Sequence, residues 1–182
     1  MQQHGFNLIQ LMISLAIVAT LLQLASPTFS RMLENHRREV LANELAAGLR
    51  AAKTEAVLRS QDVVIHALEG DWSAGWRIIV DLSGQGADDD SNPVLFVRNG
   101  KAAFKVVGNR PVQSHVRFTG MGWPRLDAGG FQAGSLHLCE AGEPFSHYRI
   151  VVAASGRIRI ENKRAETALC ADQRMSDQRA NA

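Results

Sequence analysis

The chain has 182 residues, a formal net charge of +2, an isoelectric point near 8.8 and a mean hydropathy of −0.10. That length accommodates an apolar anchor and one globular domain with a modest core, and the mild charge balance does not by itself imply a nucleic-acid partner. Catalytic and metal chemistry find no support: His4, His36, His66, His115, His137 and His147 show no paired zinc spacing, and neither a nucleophile elbow nor a phosphate loop occurs.

From Phe6 to Ser26 there is no Lys, Arg, Asp or Glu. A helix of about 20 mainly apolar residues spans a bilayer, so this run just qualifies. Only Met1-Gln2-Gln3-His4-Gly5 precede it, and no small-residue cleavage site closes it, unlike a secretory signal. One reading is an ordinary N-terminal membrane anchor. The layout also resembles a type IV prepilin: a short leader ending in Gly, then Phe, then an apolar helix with a proline near its end. The resemblance implies that a prepilin peptidase cuts after Gly5 and methylates the new amino terminus on Phe6, and that Pro27 kinks the helix. Two departures are visible. Gln10 stands where the family usually has Glu and cannot act as a counter-ion, and the leader carries no Lys or Arg. Both favour a minor pilin over a major one.

Beyond Pro27, Phe29, Leu33, Val40, Leu41, Leu45, Leu49, Ala52, Ala56 and Val57 recur at helical spacing with charges between them. The spacing predicts one long helix to Ser60, apolar all round in its first half and amphipathic in its second. The first half suits lipid or a filament core; the second should pack on a sheet.

From Gln61 the period changes. Short strands are predicted at 63–67, 76–80, 94–97, 104–107, 115–118, 135–138 and 148–152, separated by turns such as Glu69-Gly70-Asp71, Asn99-Gly100 and Gly129-Gly130. A long helix followed by an all-β segment is an α+β plan. The polar tail 171–182 reads as flexible. Within the prepilin-like proteins the chain resembles the GspH/FimT group. The carrying residues are Trp72…Gly75-Trp76-Arg77-Ile78-Ile79-Val80-Asp81, Val94-Leu95, Phe118…Gly120…Gly122 and Ala154-Ser155-Gly156-Arg157-Ile158-Arg159. This resemblance implies a pilin-like fold, with the long helix packed on a C-terminal domain of two antiparallel sheets. The expected segments are a leader 1–5, a transmembrane or filament-core helix 6–27, its amphipathic continuation 28–60, a β domain 61–170 and the tail 171–182.

Two basic features stand out. In Gly156-Arg157-Ile158-Arg159-Ile160 the strand alternation puts both arginines on one face, about 7 Å apart, and Gly156 suits the turn joining them to the preceding strand. The motif matches the Gly-Arg-x-Arg run that, in FimT-like minor pilins, implicates the C-terminal region in binding DNA for natural transformation. Arg149, Lys163 and Arg164 would assist. The other reading is a half-buried strand whose exposed face happens to be Arg. The second feature is the stretch from Phe96 to Leu126, which has no Asp or Glu but contains Arg98, Lys101, Lys105, Arg110, Arg117 and Arg125. If both sets share a face they form a phosphate-binding stripe; on opposite faces they are solvated charge. Any such binding would ignore sequence, since no groove-reading helix is present.

Cys139 and Cys170 are expected to pair if the anchor exports the domain, closing a loop of about 30 residues worth about 3 kcal/mol; two separate buried thiols are the alternative. Asp88-Asp89-Asp90 lacks the alternating ligands of a calcium loop and reads as solvated. The expected function is a minor type IV pilin held by its helix in the inner membrane and then in the pilus at the cell surface. Its expected partners are other major and minor pilins, the prepilin peptidase and double-stranded DNA. The alternatives are a purely structural, assembly-priming minor pilin and a type II secretion pseudopilin of the GspH kind.

Overall fold

The computed structural model describes residues 8–100, 104–139 and 144–171, excepting the helix side chains at 19, 21–28, 30, 31 and 168. Helix α1 runs from Leu8 to Arg59 and Pro27 lies within it. The chain divides into two units, Met1–Arg37 and Arg38–Ala182.

In the first unit the helix presents apolar side chains outward. Leu8, Ile9, Leu11, Met12, Ile13, Leu15, Ile17 and Val18 are each more than half exposed. The hydroxyls do not contradict that character, because Ser14 Oγ donates to the Gln10 carbonyl and Thr20 Oγ1 to the Ile17 carbonyl. Side-chain groups satisfied in this way are cheap to place in an apolar surrounding. Among the described residues no helix is long and apolar enough to cross a membrane. The expected span 6–27 falls partly outside the described residues, as do Gly5, Phe6 and the tail from 172 onward.

The second unit contains the rest of α1 and eight strands. These are β1 (Val63–Leu68), β2 (Asp71–Val80), β3 (Val94–Asn99), β4 (Lys105–Gly108), β5 (His115–Phe118), β6 (Gly134–Cys139), β7 (Phe145–Val152) and β8 (Ile158–Glu166). A last short helix, α2, covers Ala168–Ala171. The strands form two four-stranded sheets, ordered β3-β2-β1-β5 and β4-β6-β7-β8, and every recorded pairing is antiparallel.

The core lies between the helix and the inner faces of both sheets. Ala42, Leu45, Ala46, Leu49, Ala52 and Ala56 are fully buried on the helix. Their i, i+3, i+4 spacing makes one stripe. The buried stripe is set further toward the alanines than expected: Val40 and Val57 are 42% and 47% exposed, while Ala42 and Ala46 are inside. Small residues let the helix backbone come close to the sheets, and the larger side chains fill in from the strands. From the first sheet come Val63, Ile65, Trp76, Ile78, Val116 and Phe118; from the second come Val106, Leu136, Leu138, Ile150, Val152 and Ile158. Each fully buried Leu or Ile contributes about 2 kcal/mol of transfer free energy. Gly48 is part of this fit, since a Cβ there would stand 2.7 Å from Trp76 Nε1. Trp72 closes the other end, its indole donating to the Gln113 carbonyl at 2.9 Å.

Cys139 and Cys170 form a disulfide with a Cα–Cα distance of 5.5 Å. It joins the end of β6 to α2 and so clamps the segment containing β7 and β8. Reduction is expected to lower stability by about 3 kcal/mol. In hydrogen exchange the β7 and β8 amides should lose protection before those of the buried part of α1. Equal, simultaneous loss everywhere would show that the bridge does not act locally.

Candidate functional site

Strand β8 is the outer edge of the second sheet, and the Gly-Arg-x-Arg run enters it from a tight turn. Gly156 sits in that turn at φ +74°, its amide donating to the Ala153 carbonyl and the Ala153 amide donating to Arg157 at 3.0 Å. Two helix cations hold the turn from below. Lys53 Nζ donates to the Gly156 carbonyl at 3.0 Å, and Arg50 Nη2 donates to the Ile158 carbonyl at 3.4 Å. Gly156 is therefore a structural residue of the motif.

The expected alternation is present. Ile158 is buried while Arg157 and Arg159 are exposed, although Arg157 precedes the strand and does not lie in it. On the outer face the register places His137 opposite Arg149 and Arg149 opposite Glu161, with Val151 opposite Arg159. Glu161 is the centre of this row. Arg159 Nε donates to one carboxylate oxygen and Arg149 Nε to the other, both at 2.8 Å. These hydrogen bonds, from Arg159 first and then Arg149, hold the Glu161 carboxyl below the usual carboxylate range. Burial, with a smaller effect from the Arg149 cation, lowers the His137 pKa as well. Two arginines thus share one carboxylate, while Arg157 has no charged partner among the described residues.

The remaining expected site residues lie further along β8. Lys163 is exposed, and the Arg164 guanidinium stands 3.9 Å from the Phe145 ring centroid, a cation–π contact.

The second basic stretch does not make one stripe. Arg117 is 7% exposed and ion-paired to Asp81, whose side chain is fully buried, and to Asp127 at 3.0 Å. It is a core residue. Arg98 pairs with Glu44 on the helix and covers the Trp76 ring at 4.6 Å. Lys105 is exposed on β4, the edge of the second sheet opposite β8. Lys101 lies outside the described residues. Three antiparallel strand spacings, about 14 Å, separate Lys105 from β8. In the acidic loop Asp89 turns back on its own backbone, accepting from the Ser91 amide and hydroxyl. Among the described residues no group of three His, Cys, Asp or Glu is placed to hold a metal ion.

One feature had no periodic signal in the sequence. After β5 the chain makes a hairpin in which Phe118 bridges Pro124 and Arg125 bridges Phe131. It brings Trp123 and Phe131 together on the surface, ring centroids 5.9 Å apart.

A long helix lying on two antiparallel four-stranded sheets is the plan of a pilin-type protein, a structural class and not an enzyme class. The chain belongs to the family described as Type II transport protein GspH, whose model matches residues 41–156. Two crystal forms of the type IV minor pilin FimU from Pseudomonas aeruginosa (strain PAO1) are similar to it. In space group P21 the identity is 26%, with 75% of this chain and 97% of that chain covered at a TM-score of 0.59. In space group P65 the identity is 26%, with 72% and 98% covered at a TM-score of 0.57. No curated protein matches. The chain is therefore a minor pilin or pseudopilin of the GspH kind.

Proposed function

We propose that this chain is a minor type IV pilin that assembles with other pilins through α1 and binds DNA without sequence preference for uptake in transformation. The apolar surface of Leu8–Val18 supports the assembly half of the reading, since it needs lipid or neighbouring pilin helices around it. Processing after Gly5, methylation at Phe6 and anchorage in the inner membrane belong to the same reading. The likeness to FimU favours a pilus over a secretion system, and no catalytic role is assigned.

The observation that carries the DNA half is the charge imbalance at the β8 edge. Arg149 and Arg159 share the single carboxylate of Glu161, and the exposed Arg157 lies at the turn, two residues before Arg159. A phosphate approaching this edge meets excess positive charge with guanidinium donors already oriented by Glu161. Lys163, exposed two residues beyond Glu161, extends it along the strand, and Arg164, seated over the Phe145 ring, is the further cation of this reading.

The test is binding of a duplex to the full chain in neutral detergent at 50 and 200 mM salt. Two or three phosphate contacts predict a roughly 10- to 40-fold loss of affinity over that interval. The Arg157→Ala/Arg159→Ala variant, folded by circular dichroism, should lose most binding. Glu161→Gln should instead strengthen it about fivefold, because a charge within a few ångströms of the phosphates is removed. Wild-type protein that binds no duplex at either salt would leave a structural, assembly-priming minor pilin or, as a second reading, a type II secretion pseudopilin. The family description, Type II transport protein, favours that alternative.

A further inference from the structure

The turn that carries Arg157 does not stand alone. A Cβ at Gly156 would lie 2.4 Å from the Gly122 carbonyl, so the β7–β8 turn and the 119–123 turn touch backbone to backbone. The second turn is closed by two backbone hydrogen bonds: the Gly122 amide donates to the Thr119 carbonyl at 2.7 Å and the Thr119 amide to the Trp123 carbonyl at 2.9 Å. It presents Trp123, 50% exposed, beside Phe131, 62% exposed. A hollow of about 310 Å³ runs between these rings and Ala154 and Ser155, the residues just before the Gly156-Arg157 turn. A second hollow, of about 440 Å³, also borders both rings and is lined by Arg125 together with one acid, Asp62. Both are in the size range of small-molecule clefts.

Large rings exposed beside cations need an explanation, because a folded domain normally hides aromatic surface of this size. Aromatic side chains alternating with basic ones along a groove are what a single nucleic-acid strand requires. Its unpaired bases offer flat faces to stack on, and its phosphates seek guanidinium groups. A duplex cannot use the rings, since its bases are already stacked on one another. The small side chains of Ala154 and Ser155 leave room for a flat base next to Trp123. Arg125 borders the neighbouring hollow, and the exposed Arg157 follows Gly156 in the adjoining turn, so cations for the phosphates lie in both flanking segments.

Resting on the reading of this chain as a DNA-binding pilin, we infer that Trp123 and Phe131 form a stacking platform for single-stranded DNA, continuous with the Arg157 turn. Duplex binding uses the β8 edge alone; a frayed end or single strand gains the platform as well.

Trp123 provides its own reporter. Trp72 and Trp76 are each 1% exposed, so collisional quenching by iodide reads Trp123. The experiment compares oligo(dT), an abasic oligomer of equal phosphate number and a duplex, each titrated against the full chain in neutral detergent. Oligo(dT) should shield Trp123 from iodide and bind about tenfold tighter than the abasic oligomer. Trp123→Ala and Phe131→Ala should each remove most of that advantage while duplex affinity stays within about twofold. Duplex binding together with equal affinity for oligo(dT) and the abasic strand, and iodide quenching unchanged by oligo(dT), overturns the platform and leaves the β8 site standing. Unchanged oligo(dT) affinity in Trp123→Ala also overturns it, and assigns the aromatic face to a neighbouring subunit. Absence of binding to every oligomer overturns both the platform and the reading it rests on.

Discussion

Methionine in place of Arg117 is expected to destabilise the domain by about 3–5 kcal/mol. Arg117 spans three acceptors: Asp81, the Gly84 carbonyl at 3.1 Å and Asp127. The Asp81 side chain is fully buried, and its other recorded hydrogen bond comes from the Gly86 amide at 3.0 Å. Removing the guanidinium leaves a carboxylate out of water without its cation, which costs more than the pair contributes when intact. For a domain of this size the loss corresponds to roughly 10–20 °C in Tm. The Asp81→Leu/Arg117→Leu double variant should recover a good part of it, because the uncompensated charge is gone. A single variant within 1 kcal/mol of wild type would mean that Asp81 is solvated in solution. The result also matters for DNA binding, since any loss in Arg117 variants reports unfolding and not a missing phosphate contact.

Much of this protein is legible in its sequence because its elements obey simple periods. The stripe through Leu45, Leu49, Ala52 and Ala56 locates the buried face of the helix, and alternation in Val63–Ala67, His115–Phe118 and Ser135–Leu138 locates strands found there. Local signals fail where a strand is held by its backbone alone. Strand β8 continues through Glu161-Asn162-Lys163-Arg164-Ala165-Glu166, a run with no apolar alternation, because as an edge strand it pairs with β7 and leaves those side chains half-buried or in water. Strand β2 begins at Asp71, five residues earlier than its apolar run, since Trp72 already faces the core.

The site is less legible than the fold, for a related reason. Charge counted along the chain assigns Arg117 to a basic stretch and Arg149 and Arg159 to a second one. Space assigns Arg117 to Asp81, 36 residues away, and gives both other arginines to Glu161. Partner choice across strands depends on register, and register is a property of the sheet. The Trp123–Phe131 pair is hidden for the same cause: eight residues apart in an irregular hairpin, the rings meet only once Arg125 bridges Phe131.

Alanine at Gly156 is expected to cost about 2–5 kcal/mol, by two mechanisms that can be separated. The first is conformational. At φ +74° an L side chain is strained by about 1–2 kcal/mol. The second is steric, because the new Cβ would lie 2.4 Å from the Gly122 carbonyl, and backbone on both sides must move, which adds about 1–3 kcal/mol. Gly129 is the control: its φ is +89° with nothing within 4 Å of a built Cβ, so Gly129→Ala should cost the conformational part alone. Movement of the turn also withdraws the Gly156 carbonyl from Lys53 and shifts Arg157 relative to Trp123. Gly156→Ala should therefore weaken duplex and single-strand binding together, even at temperatures where the domain remains folded. Equal stability losses in the two glycine variants would show that the Gly122 contact gives way easily. The Gly of the Gly-Arg-x-Arg run would then serve the turn's conformation and not the junction of the two turns.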